Sequence, residues 1–147
     1  MKFEFVTAEK FFELLYRDKD FTSGLGAVML AAGMLETNLR CYMITRKIKK
    51  IGEKTTLGIM VDHLKKQSLL SCNGEMHFDD LVLKRNYLAH SLFDLFSKEI
   101  EESMLPRSEL VEMDVEIFSE KVKATAEDFL HFAKIVKNAD TNETLLL

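Results

Sequence analysis

The chain has 147 residues, of which 47% are apolar and 30% charged, which is enough for one domain to bury a core of its own. One proline and six glycines are too few for the many turns of an all-β sandwich, so the composition favours an all-α fold. The net charge of −4 excludes a surface that is basic throughout, as a general nucleic-acid binder would have. Two cysteines, no secretory signal at the start and no apolar run of about 18 residues predict a cytoplasmic protein without a membrane span.

The first half of the chain shows helical periodicity in three segments. The first runs to about Tyr16 with Thr7 as its N-cap. The second is predicted to run from about Thr22 or Ser23 to Lys50, with Gly52 as its stop. A third helix is predicted from Thr55 or Thr56 to about Leu70.

The second half predicts a loop and two further helices. Ser71-Cys72-Asn73-Gly74 is predicted to be a loop, because Asn-Gly accepts positive φ readily. The fourth helix is predicted from about His77 to Glu102, and Pro106 ends any helix before it. A fifth helix is expected from about Val115 to Lys137. The prediction is one helical bundle over residues 1–140, followed by a frayed tail at 141–147.

The candidate site lies on the fourth helix, in the stretch from Lys84 to Leu92. Arg85 falls between Leu81 and Leu88 on the apolar stripe of this helix. Because an unpaired buried charge costs several kcal/mol, we expect a carboxylate partner, and Glu36 in the apolar stripe of the second helix is the candidate. A routine surface pair between Glu36 and Arg40 is the alternative for that acid.

The second candidate residue of the stretch is His90, which titrates near neutral pH. On an ideal helix His90 lies about 140° around from Arg85, so the two converge only through a bend or through a second copy in a symmetric dimer. Asn86 and Asp94, each four positions from His90, are predicted to orient its imidazole. The alternative is a buried polar network without chemistry, in which Glu36 satisfies Arg85.

Four basic residues at the end of the second helix have two interpretations. They are either contacts to RNA phosphates or ordinary cations at the negative end of the helix dipole. These residues are Arg46, Lys47, Lys49 and Lys50.

The segment Arg85-Asn86-Tyr87-Leu88-Ala89-His90 resembles the Arg-x(4–6)-His signature of the HEPN superfamily, whose members are small helical bundles that carry this motif on a late helix. The resemblance implies a metal-independent endoribonuclease without cofactor, a toxin or defence component, in which two subunits place both motif copies in one cleft. It implies that Arg85 holds the scissile phosphate while the 2′-OH of RNA attacks, and that His90 is general base or acid. By the same resemblance Glu36 and Asn86 are the supporting acidic and polar residues.

The chain departs from one branch of that superfamily. In toxins paired with a nucleotidyltransferase antitoxin, a tyrosine two positions after the histidine is modified, whereas this chain has Leu92 there. Tyr87 is a less natural target. The resemblance still implies a cognate antitoxin or regulatory protein as a partner. Some members are non-catalytic binding modules, and the acidic second half of this chain, from Glu99 to Glu120, favours that alternative function.

The remaining cysteines and histidines do not predict a metal site. Cys41, Cys72, His63 and His77 match no known zinc-ligand spacing. His131, in the apolar region of the last helix, is predicted to pack rather than bind a ligand.

Overall fold

The computed structural model describes residues 4–48, 51–91 and 110–139, with the side chains of Ala8, His90 and Ser91 outside that description. The described part contains five α-helices: α1 (Ala8–Arg17), α2 (Lys19–Thr45), α3 (Leu57–Lys66), α4 (Cys72–Asn86) and α5 (Asp114–Asn138). It also contains a π-helical segment (Tyr87–Ser91) and two short strands, β1 (Phe5–Val6) and β2 (Leu110–Val111). The prediction of an all-α fold with about five helices is confirmed. Among the described helices, none has both the length and the apolar character that crossing a bilayer requires.

The two strands pair antiparallel, with Phe5 opposite Val111 and Val6 opposite Leu110. The sequence predicted no strand, because two residues are too few to show the alternation that identifies one.

Side-chain caps set the starts of α1 and α2. The Lys10 N–H donates to Oγ1 of Thr7 over 3.2 Å, which confirms the predicted cap of α1. The Phe21 N–H donates to Oδ1 of Asp18 over 2.7 Å, so α2 begins at Lys19. The predicted start at Thr22 or Ser23 was therefore wrong, because the aspartate that interrupts the apolar pattern is itself the cap.

Helix α2 ends earlier than predicted, at Thr45 rather than Lys50. Lys47 adopts a left-handed conformation with φ of 60°. Its N–H donates to the carbonyl of Ile44 over 2.9 Å, and the N–H of Ile48 donates to the carbonyl of Met43 over 3.0 Å. These two bonds form a Schellman motif, which satisfies the last carbonyls of the helix without the predicted glycine stop.

Helix α3 follows the predicted start but also ends early. Thr56 caps it by accepting the Ile59 N–H over 3.3 Å, as predicted. It ends at Lys66 because Ser68, with φ of 54°, closes a second Schellman motif, in which the Leu69 N–H donates to the carbonyl of Leu64.

The predicted loop before α4 is wrong. Oγ of Ser71 accepts the Gly74 N–H over 3.0 Å, and the helix begins at Cys72. Asn73 and Gly74 lie in its first turn, where backbone N–H groups have no partner four residues earlier and turn-forming residues cost little. The last helix, Asp114–Asn138, agrees with its prediction to one residue at each end.

The chain divides into two compact units, each made of two segments. The first unit comprises Met1–Met29 and Lys84–Glu127, and the second Leu30–Leu83 and Asp128–Leu147. The predicted boundary at residue 140 stays a prediction, and the predicted tail lies outside the described residues.

Each unit has an aromatic contact in its core. In the first unit the rings of Phe21 and Phe118 stack with centroids 5.3 Å apart. In the second unit the rings of Phe78 and Phe132 lie 5.6 Å apart, and the Asn38 side chain donates to the Ala133 carbonyl over 2.8 Å. Helix α3 buries one face, which consists of Leu57, Met60, Val61 and Leu64.

Candidate functional site

The Arg85 to His90 stretch lies where α4 changes from α-helix to π-helix. Helix α4 ends at Asn86, and the backbone from Tyr87 to Ser91 is π-helical. In a π-helix each hydrogen bond spans five residues instead of four, so more residues fill a turn and each rotates the chain less. The backbone positions of Arg85 and His90 are therefore closer in angle than the about 140° of a straight α-helix. The π-helical segment changes the rotation per residue, and both the predicted bend and the direction of the His90 side chain stay predictions.

Arg85 is half-buried rather than buried. Its stripe neighbours Leu81 and Leu88 are both buried, as predicted. A half-buried arginine covers apolar surface with its methylene groups while its guanidinium reaches water. The cost of desolvating that charge is therefore smaller than full burial would impose, and the physical need for a carboxylate partner is weaker than expected.

Glu36 is also half-buried, on α2. It belongs to the second unit and Arg85 to the first, so the predicted pair between them stays a prediction. Arg40 has a structural role, because its Nε donates to the Gly52 carbonyl over 3.0 Å and its Nη2 to the Thr55 carbonyl over 3.2 Å. These bonds hold the connection between α2 and α3 against the helix.

The other residues predicted in the motif differ in burial. Tyr87 is 6% exposed, and its ring meets Phe118 edge-on with centroids 6.3 Å apart. Asn86 is exposed. Tyr87 is thus a core side chain of the first unit, whereas Asn86 is open to solvent. Asp94 and Leu92 lie outside the described residues.

Two of the four basic candidates are described, and both follow the last residue of α2. The guanidinium of Arg46 lies 5.5 Å from the centroid of the Tyr42 ring, a cation–π contact. Lys47 is exposed and occupies the left-handed position of the helix end. Both predicted roles, phosphate contact and cation at the helix end, remain open. Lys49 and Lys50 lie outside the described residues.

A cleft of about 410 Å³ in the second unit brings together residues that sequence reasoning did not connect. The ring centroid of Phe132 lies 5.4 Å from that of His77 and 5.3 Å from that of His131. His131 contacts the ring of its sequence neighbour Phe132 and is exposed, so its predicted packing role stays a prediction. The lining residues are Asn73, His77, Asp80, Leu81, Asp128, His131 and Phe132.

The sequence pattern that could have indicated this cleft is a histidine and an aspartate three residues apart on each of two helices. His77 and Asp80 share one face of α4, as Asp128 and His131 share one face of α5. The two carboxylates repel phosphate, so the cleft does not suit the RNA backbone.

The described residues contain no group of three or more histidine, cysteine or acidic side chains that could hold a metal ion. Cys41 and Cys72 are both exposed free thiols.

Comparison with family models, curated proteins and solved structures finds no match. Membership of the HEPN superfamily therefore stays a prediction from the motif and the helical architecture.

Proposed function

We propose that this chain is a metal-independent endoribonuclease of the HEPN type, acting as a toxin or defence component. The observation that carries the proposal is the placement of Arg85 and His90 around an α-to-π transition. π-Helical turns are rare and occur frequently at functional sites. The transition supports the proposal because it reduces the angular separation that otherwise keeps a phosphate-binding cation and a proton-transfer group apart.

The proposed chemistry uses RNA's own nucleophile. The 2′-oxygen attacks the adjacent phosphorus, the bond to the 5′-oxygen breaks, and the products carry a cyclic 2′,3′-phosphate and a 5′-hydroxyl. His90 accepts the proton from the 2′-OH or donates one to the leaving 5′-oxygen. Arg85 stabilises the charge that develops on the non-bridging oxygens, and it does so from a half-buried position where water screens less than in bulk.

If one histidine takes the proton from the 2′-OH and another donates a proton to the 5′-oxygen in the same turnover, the site needs two histidines. This requirement favours a homodimer with both motif copies in one cleft. In this scheme Asn86 and Glu36 orient the motif, and Asp94 holds the imidazole. The basic residues after α2 contact phosphates of the same RNA. Those contacts would make RNA affinity fall with salt, by a slope set by the number of phosphates neutralised.

Regulation in this proposal depends on a protein partner rather than on tyrosine modification. The position two residues after His90 is a leucine, and the nearby Tyr87 ring is buried against Phe118. An enzyme that modifies a tyrosine hydroxyl needs access to it. A cognate antitoxin or regulatory protein would therefore act by covering the site.

Cleavage of RNA by the purified protein in EDTA tests the proposal. Arg85→Ala and His90→Ala should each lower the rate by about 100-fold or more, the usual effect of losing a charge stabiliser or a general acid–base group. Arg17→Ala is the control, because it removes an exposed arginine on α1 that pairs with Glu13. Far-UV circular dichroism checks that each variant keeps its helices. Normal cleavage by both motif variants, or none by the wild type, would overturn the proposal.

A non-catalytic HEPN-like module that binds a partner or nucleotide is the second candidate. The observation that favours it is the acidic exposed side of α5 in the first unit, with Glu116, Glu120 and Glu127. Asp114, counted with these acids in the sequence, is instead buried and accepts the Val111 N–H over 2.8 Å. Self-association without RNA cleavage or toxicity would support this candidate.

A further inference from the structure

The exposed face of α2 in the second unit carries no charge. Leu30 is 79% exposed, Ile44 54% and Met34 44%. A helix face that only water contacts normally carries charged and polar residues. The exposed positions between 30 and 45 are Leu30, Gly33, Met34, Thr37, Cys41, Ile44 and Thr45.

Five of these positions follow the spacing of a helix-packing seam. They alternate in steps of four and three, the pattern with which one helix packs along another. We call them the α2 seam: Leu30, Met34, Thr37, Cys41 and Ile44. The spacing indicates that the partner of the seam is itself a helix.

The chemistry of the seam selects which helix. The exposed faces of other described helices carry charges, such as the Asp62–Lys66 pair on α3, and docking against the seam would remove those charges from water without offering them any polar partner. The α2 seam of a second copy of the chain would bury no charge there. The charged residues nearest to it, Glu36 and Arg40, lie outside the exposed arc, and Arg40 is bound to two carbonyls of the same unit.

Small residues let a second helix approach closely. A methyl group built on Gly33 meets no atom within 4 Å, so the space in front of this backbone is open. Thr37 and Cys41 are also short. We propose that the α2 seam is the surface through which two copies of this chain associate, related by a twofold axis that places the same face on both sides.

The mass of the RNA-free protein in reducing buffer tests this proposal, and that measurement is independent of whether the chain cleaves RNA. Sedimentation should give twice the chain mass of 17.0 kDa for the wild type. Leu30→Glu and Met34→Glu should each halve the mass, because they bury a charge at the seam. Ile59→Glu is the matched control: it changes a 51% exposed residue on α3 and should leave the dimer intact. Dimerisation should change little between low and high salt, since the seam has no charges to screen.

The two free thiols supply a second readout. Cys41 lies in the seam and Cys72 on α4, and both are exposed in the single chain. In the dimer Cys41 should react with a thiol reagent more slowly than Cys72, and Leu30→Glu should raise its rate to that of Cys72. A monomeric wild type, with Cys41 reactive or protected, would overturn the proposal. A dimer that persists in both seam variants would do the same, because it must use another surface.

Discussion

The hydroxyl of Ser119 on α5 donates a hydrogen bond to Oδ1 of Asp18 across 3.3 Å. The same oxygen accepts the N–H of Phe21 over 2.7 Å. One carboxylate oxygen therefore caps α2 and ties α5 to the junction of α1 and α2 within the first unit.

Asp18→Ala should lower the free energy of unfolding by about 1–2 kcal/mol, because it removes an N-cap and leaves the Ser119 hydroxyl without this acceptor. Asp18→Asn keeps an oxygen at the cap and should cost less. Urea denaturation measures both. Asp20→Ala, which removes an exposed carboxylate 3.5 Å from the Lys123 amine, is the control and should cost under about 1 kcal/mol. Equal losses for the two alanine variants would contradict the double role of Asp18.

Two glycines of α2 should respond differently to alanine. A methyl group at Gly26 meets nothing within 4 Å, so Gly26→Ala should raise the free energy of unfolding by about 0.5–1 kcal/mol through helix propensity. At Gly24 the methyl lies 3.3 Å from Cγ1 of Val122 and 3.4 Å from Cγ of Lys123, and this crowding should cancel the gain. Thermal unfolding of both variants measures the difference. Equal stabilisation would show that α5 yields at this contact.

Ser68 ends α3 with φ of 54°, a conformation that favours glycine. Ser68→Gly should therefore stabilise the protein by about 0.5–1 kcal/mol. Lys66→Gly, two residues earlier and still helical, should destabilise it by a similar amount. Denaturant midpoints compare the two. The same sign for both would refute a left-handed helix end at Ser68.

Lys65 on α3 donates to both carboxylate oxygens of Asp79 on α4, over 2.6 and 2.7 Å. That hydrogen bond, helped by the carboxylate's charge, raises the pKa of Lys65 above its ordinary value. Because the pKa of Lys65 is raised in the folded state, the pair stabilises the protein fully at pH values below the ordinary lysine pKa of about 10.4. This stabilisation is lost as the pH rises through the pKa of the folded state.

Asp79→Asn should thus reduce stability at neutral pH by less than about 1 kcal/mol, since the pair is partly exposed. The difference from wild type should vanish at high pH, where Lys65 is neutral in both. A double-mutant cycle with Lys65→Gln isolates the pair. A coupling energy that stays constant across the titration of the lysine would contradict this account.

Helix starts were predictable where a hydroxyl cap precedes a clean apolar pattern, as at Thr7 and Thr56. They were not predictable where the cap itself interrupts the pattern, as Asp18 does, or where turn-forming residues occupy the first turn, as Asn73 does. Helix ends depended on left-handed conformations at Lys47 and Ser68. Neither residue type is distinguished for that role in the sequence, so these ends were missed.

The candidate site shows the same division. The motif from Arg85 to His90 is legible in the sequence because its residue types are unusual on an apolar helix. The change to a π-helix could not be predicted from the sequence, because it depends on which backbone carbonyl accepts the hydrogen bond from each N–H. The cleft between His77 and His131 also escaped prediction, because two short patterns become one site only when their helices meet.

The π-helical segment also bears on how this motif can vary. Tyr87–Ser91 accommodates one residue more per hydrogen-bonded turn than an α-helix does. Loss of one residue, such as Ala89, would return the segment to α-helical spacing and leave the histidine four positions after Arg85, about 40° around the helix. A single in-frame codon deletion would therefore change the angular position of the histidine relative to Arg85 along the helix, which a substitution that keeps the backbone would not do.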